Sequence, residues 1–224
     1  QFSVDKNKMF ICGLPRNDYL FKNIKALSLL TNKKYKKVIL WMPTFREADP
    51  SRVIRNDSNK IYNFGIPLIN SDDDCRALND RLKENDTLLI IKPHHYQHKK
   101  VNKLKQMSNI MVISSDLLNE KQVNLYSLIK DSDALISDYS SVIFDYLLLD
   151  RPIGFILDDI DDYKLGFSID NPLDFMPGEK IYTFEDLLAF ISHVSEGVDD
   201  YKEERKKVRD YTNKYQDGNN CERL

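Results

Sequence analysis

The chain has 224 residues, 42% of them hydrophobic, which suffices for a packed core, yet no apolar run approaches the ~18–20 residues of a membrane span. Its formal net charge of -2 excludes a general nucleic-acid binder, because holding a phosphate backbone takes a strong basic excess. Cys12, Cys75 and Cys221 are widely spaced and form no CxxC pair, which argues against a disulfide scaffold or structural zinc and fits a reducing, cytoplasmic setting.

In chain order, an apolar run from Met9 to Cys12 reads as a strand. The turn Gly13-Leu14-Pro15-Arg16-Asn17-Asp18 then feeds a helix from Tyr19 to Leu30, with Asp18 as a candidate cap. Further strand-like runs are Val38 to Met42, Thr87 to Ile91, Ile110 to Ile113, Ala134 to Ile136 and Ile153 to Leu157. Helical patterns separate or follow them at Asp74 to Glu84, Lys99 to Met107, Lys121 to Ile129, Ser141 to Leu149 and Phe184 to Val194. The charged stretch from Asp199 to Tyr215 has Tyr201, Val208, Tyr211 and Tyr215 spaced for one face of a last helix. Short β-branched runs alternating with helices predict an α/β fold with a Rossmann-like, doubly wound, mostly parallel sheet. Three parts are expected: a lead-in segment 1–24, a Rossmann-like body 25–198 and a terminal helix 199–224.

In such sheets ligands sit at the carboxyl ends of the strands. Pro43 to Arg46 follows one strand, His94 another, and Asp138 to Ser141 a third, so polar groups are expected to converge on one rim. Ser137-Asp138-Tyr139-Ser140-Ser141 is the most informative of these segments, because a strand there gives way to a helix. The first-turn N–H groups of a helix have no intrahelical partner and its dipole favours negative charge, so two hydroxyls at that point suggest a phosphate seat. Alternatively Ser140 only caps the helix. Asp145 is the one charge in an otherwise apolar helix and needs a partner, whether a backbone amide, a ligand hydroxyl or a base.

Arg46 is either a bidentate phosphate ligand or a surface residue of the polar loop that runs on to Asn63. His94, His95 and His98 do not suggest a metal site, since adjacent residues of an extended loop point apart and no acidic ligand is close in sequence. Asp158-Asp159-Ile160-Asp161-Asp162 contains a D-x-D pattern able to hold Mg²⁺ or Mn²⁺, but a solvated acidic loop is the reading we favour. Neither metal nor cofactor is therefore expected. Basic residues at Lys33-Lys34-Tyr35-Lys36-Lys37 and at Lys99, Lys100, Lys103 and Lys105 are solvated faces or an attraction to anionic lipid headgroups.

Ser137-Asp138-Tyr139-Ser140-Ser141-Val142-Ile143-Phe144-Asp145-Tyr146 with Arg151-Pro152-Ile153 resembles the donor-site signature of the CDP-glycerol glycerophosphotransferase family, whose members build teichoic-acid and related capsule polymers. Gly13 to Asp18, Pro43-Thr44-Phe45-Arg46, Lys92-Pro93-His94, Gly166-Phe167 with Pro177-Gly178, and Asp217 to Arg223 resemble the same family in the same order. The resemblance implies the nucleotide-binding, C-terminal half of a GT-B-type transferase, with an N-terminal domain of the same protein, and an acceptor-side base, outside these residues. It also implies a terminal helix that docks on that other domain.

By the same resemblance the donor is CDP-glycerol or CDP-ribitol, the acceptor a polymer or lipid-linked chain, the product CMP, and the location the inner face of the cell membrane. Arg46, Ser140 and Ser141 would hold the pyrophosphate, with Thr44 and Lys92 in the same binding segments. Asp138 and Asp145 would orient the nucleotide or its loop, and His94 would be the catalytic residue that helps the leaving group. His95 stands where the family usually has Pro, so the role falls to His94 or His95. The rival readings are a glycosyltransferase using a nucleotide-sugar and a non-catalytic nucleotide-binding module.

Overall fold

The computed structural model describes residues 5–44, 62, 64–93, 101, 103–162 and 171–224. Six strands form one sheet: β1 Lys37–Trp41, β2 Thr87–Ile91, β3 Ile110–Val112, β4 Ala134–Ser137, β5 Ile153–Ile156 and β6 Glu179–Ile181. Their spatial order is β3-β2-β1-β4-β5-β6, and every neighbouring pair is parallel. This is the order of the doubly wound dinucleotide-binding sheet, in which the chain reverses its direction of travel across the sheet between β1 and β4.

Alternation along the strands sorts the core into two layers. Ile39 and Trp41 of β1 join Leu89, Ile91 and Ile136 on one face, beneath α1 (Asp72–Glu84) and α5 (Phe184–Glu196). Val38 and Leu40 join Leu88, Ile90 and Leu135 on the other, beneath α2 (Ser115–Glu120), α3 (Leu125–Asp131) and α4 (Val142–Tyr146). The two longest helices open on capping boxes, Ser71 with Asp74 and Thr183 with Asp186, and α5 closes on Gly197 in the left-handed region.

Several expectations need correction. Met9 to Cys12 forms no strand; Met9, Phe10 and Ile11 are exposed. The helix expected from Tyr19 to Leu30 is two 3-10 pieces, Pro15–Phe21 and Leu27–Leu29, the second begun by Asp131, whose carboxylate accepts from Leu27 N at 2.8 Å. Of the helix expected from Lys99 to Met107, the described part is 3-10 in character, at Val101 and over Leu104–Gln106. Lys121 to Ile129 is interrupted because Gln122 is left-handed (φ 52°); Ser114 caps α2 before the break and Asn124 caps α3 after it. Ser141 to Leu149 is α-helical only to Tyr146 and ends in a 3-10 turn, Leu147–Leu149, closed by left-handed Asp150. Strand β6 was not expected, being three residues with two charges. It is admitted by Gly178, where a Cβ would lie 2.1 Å from Ile153 O.

The last helix, α6 (Lys202–Thr212), buries Arg205 and Val208, not its tyrosines; Tyr211 is 80% exposed. Arg205 is 1% exposed, grips Asp199 through two hydrogen bonds of 2.6 and 2.5 Å, and has its Nε 3.4 Å from Asp150. Through this residue the helix packs on the domain described here.

Candidate functional site

The crevice of a doubly wound sheet opens where the strand order reverses, here between β1 and β4. Thr44 and Asp138 meet at that point. Asp138 is buried and accepts from Thr44 N at 2.8 Å and from the Thr44 hydroxyl. Ser137 Oγ donates to Met42 O at 3.3 Å alongside. On the other side Tyr139 Oη donates to Asp159 Oδ1 at 2.9 Å. The loop from β4 to α4 is thus held toward β1 by Asp138 and toward the loop after β5 by Tyr139.

Ser140 and Ser141 follow in the stretch so fixed. Ser141, the residue before α4, has helical dihedrals (φ -64°, ψ -11°) and makes no side-chain cap hydrogen bond. Among the described residues neither serine hydroxyl has a hydrogen-bond partner, so the capping reading of Ser140 is not what the fold uses. Lys92 continues the ladder past β2, its N–H donating to Trp41 O at 2.9 Å. It is half-buried, burial lowers its pKa, and among the described residues no carboxylate pairs with it.

Asp145 finds a base. The carboxylate is 2% exposed, and its Oδ2 accepts from Arg16 Nη2 at 3.0 Å and from Tyr126 Oη at 2.7 Å. Burial, then the bond to Asp145, pushes the Tyr126 phenol well above its ordinary range. The Arg16 guanidinium also lies 5.5 Å from the Tyr126 ring centroid, within cation–π range. Sequence reasoning missed Arg16 and Tyr126 as partners of Asp145; the available signal was the Arg-Asn-Asp run after Pro15, a charged turn of which only Asp18 reads as a cap.

Asp18, expected to cap a helix beside it, reaches the far end of the chain instead. Its carboxylate accepts from Asn220 N (2.9 Å), Asn220 Nδ2 (2.8 Å) and Cys221 N (2.8 Å), capping the final turn Cys221–Arg223. Gly13, at φ +83°, lies so close that a Cβ would be 2.0 Å from Asn220 Oδ1. Two motifs more than 200 residues apart thus form one clasp.

In the acidic loop, Asp159 serves Tyr139 and Asp158 accepts from Tyr62 Oη at 3.0 Å. Among the described residues no three His, Cys, Asp or Glu side chains are grouped to hold a metal ion. Arg46, His94, His95, His98, Lys99, Lys100 and the Gly166-Phe167 motif lie outside the described residues.

The profile of the CDP-glycerol:poly(glycerophosphate) glycerophosphotransferase family matches residues 1–224. The teichoic acid glycerol-phosphate primase of Bacillus subtilis (strain 168) is 31% identical over 228 residues, covering 100% of this chain and 51% of the relative. The teichoic acid ribitol-phosphate polymerase TarL of Staphylococcus aureus (strain NCTC 8325 / PS 47) is 28% identical, covering 100% of this chain and 37% of the relative. The chain therefore spans about half or less of the length of these relatives. The solved structure of the wall teichoic acid polymerase TagF superposes with a TM-score of 0.71 at 24% identity over 99% of this chain and 52% of that one, a likeness of fold.

Proposed function

Because this chain belongs to the CDP-glycerol:poly(glycerophosphate) glycerophosphotransferase family, we propose that it is the donor-binding half of a GT-B-type transferase that moves polyol phosphate from CDP-glycerol or CDP-ribitol onto a teichoic-acid or capsule-type polymer. The observation that carries this reading is the pair of hydroxyls, Ser140 and Ser141, without a partner among the described residues, on a loop clamped at the reversal point of the sheet. Donors at a helix start suit a diphosphate, and Lys92 adds a cation that no carboxylate among the described residues neutralises. Arg46 is the further phosphate ligand in this reading.

In the reaction a hydroxyl oxygen of the acceptor attacks the phosphorus that carries the polyol. A new P–O bond forms as the bond to the CMP oxygen breaks, and the acceptor proton passes to a base outside this chain. Positioning and charge stabilisation supply most of the acceleration in phosphoryl transfer. His94 donates to the departing phosphate. Thr44 and Asp138 hold the loop, and Asp145 orients the nucleotide side of the crevice. Among the described residues no helix is long and apolar enough to cross a membrane. We place the complete protein at the inner membrane face as a peripheral protein.

Calorimetric titration of the chain with CDP-glycerol, CDP-ribitol, CMP and UDP-glucose tests this. Binding of the cytidine nucleotides is expected. Failure of all three to bind overturns the reading, and tighter binding of UDP-glucose transfers it to a sugar transferase.

A further inference from the structure

From Asp138 to Asp145 the chain is pinned at both ends. At one end Asp138 is bound to Thr44 and Tyr139 to Asp159. At the other, two consecutive residues of α4 are gripped by different segments: Asn213 Nδ2 donates to Phe144 O at 2.9 Å, and Arg16 Nη2 to Asp145 Oδ2 at 3.0 Å. Ser140 and Ser141 lie between the two sets of pins. Their own carbonyls tie them to α4, accepting from Ile143 N at 3.3 Å and from Phe144 N at 3.2 Å. A shift of α4 therefore carries both serines with it.

The pins on α4 are themselves anchored. Arg16 belongs to the 3-10 piece Pro15–Phe21, which Asp18 ties to Asn220 and Cys221 through three hydrogen bonds. Asn213 is the residue that ends α6, and Arg205 fastens that helix to Asp199 with its Nε beside Asp150, just past the turn that follows α4. A helix of five residues does not hold its direction by its own hydrogen bonds, because so short a helix depends on tertiary contacts. The two grips thus decide where α4 points. Groups fixed before a ligand arrives lose less freedom on binding, so the same grips bear on affinity.

We propose that Arg16 and Asn213 are positioning residues for the phosphate seat: acting through the Asp145 carboxylate and the Phe144 carbonyl, they fix α4 and with it the Ser140 and Ser141 hydroxyls. The proposal rests on the function proposed above. Neither side chain touches the nucleotide.

The test is calorimetric titration of the 224-residue chain with CDP-glycerol for wild type, Arg16→Met, Arg16→Lys and Asn213→Ala, with a urea midpoint showing that each variant is folded. Arg16→Met and Asn213→Ala should each raise Kd by roughly 3- to 30-fold, the range for residues that modulate a site without touching its ligand. Arg16→Lys should recover most of the affinity, since the contact uses one nitrogen and an ammonium supplies one donor and the same charge. Asn213→Ala removes one hydrogen bond from a half-buried side chain, so it carries the test if Arg16→Met does not fold. Amide exchange of residues 140–144 is the second readout. It should accelerate in Arg16→Met and Asn213→Ala while that of β2 and β5 stays as in wild type, a local loosening that a general loss of stability does not produce.

Lower urea midpoints with unchanged Kd overturn the proposal and leave both contacts purely structural. A large loss in Arg16→Met with none in Asn213→Ala also overturns it, because Arg16 is then itself a ligand of the donor. Both results require a wild type that binds CDP-glycerol. If the donor reading is what fails, wild type binds none of the cytidine nucleotides, and the proposal falls with it.

Discussion

Asp138 Oδ2 accepts from the backbone N–H of Thr44 at 2.8 Å across the point where the strand order reverses, and the Thr44 hydroxyl donates to the same carboxylate. One buried side chain thereby sets the distance between the loops that follow β1 and β4. Asp138→Ala should lower stability by roughly 2–3 kcal/mol, as expected for losing hydrogen bonds to a charged acceptor, and Thr44→Val by about 1 kcal/mol. Urea denaturation midpoints measure both. Equal losses would mean that the backbone bond adds nothing.

Because among the described residues neither Ser140 nor Ser141 makes a side-chain hydrogen bond, Ala at both positions should change stability by less than about 0.5 kcal/mol. CDP affinity should fall by an amount of order 1.5–3 kcal/mol per hydroxyl that contacts the diphosphate. A lower melting temperature with unaltered CDP affinity would remove the phosphate seat.

Arg16→Met leaves Asp145 buried with Tyr126 as its remaining partner. A loss of roughly 2–3 kcal/mol is expected, less than for a fully buried pair because Arg16 is half-exposed. Adding Asp145→Asn to that variant should recover part of the loss, since the stranded charge is gone. A double-mutant cycle without coupling would show that the pair is not what holds α4.

Two carboxylates that anchor the C-terminal segment should make it acid-labile. Burial pushes Asp18 up, but the hydrogen bonds from Cys221 and Asn220 outweigh it and hold the carboxyl below its ordinary value; Asp199 is lowered chiefly by its bond to Arg205. A depressed folded value means that the stabilisation is fully present above the ordinary aspartate pKa of about 3.9 and is lost as pH falls through the lower folded value. Proteolytic cleavage within 213–224 should therefore accelerate below about pH 4. In Asp18→Asn it should already be fast at neutral pH.

Chelation should leave donor binding within twofold of its untreated value, because Asp159 is occupied by Tyr139 and Asp158 by Tyr62. Calorimetry with EDTA present, followed by added Mg²⁺ or Mn²⁺, measures this. A large loss restored by either ion would assign the acidic loop to metal.

Much of the site's position was legible because strand periodicity and the residues after each strand are local properties. Val38 to Met42, Thr87 to Ile91 and Ala134 to Ile136 fall on β1, β2 and β4, and Thr44, Lys92 and Asp138 follow them as expected. Short 3-10 pieces and β6 were not legible. Their geometry depends on distant groups, such as the Asp131 carboxylate that starts Leu27–Leu29 and the bare Cα of Gly178 beside Ile153.

By itself the sequence determined the alternation of strands and helices, the apolar faces that bury them and the motifs of the family, all of which are written within a few residues. Only the tertiary structure decided partners. It gave Asp145 to Arg16 across 129 residues and Asp18 to Asn220 across 202, and it left the buried Oδ1 of Asn17 between them without a partner among the described residues. A charged or amide side chain has the same hydrogen-bonding capacity wherever it stands, and which group fills that capacity is set by the folding of distant segments into contact.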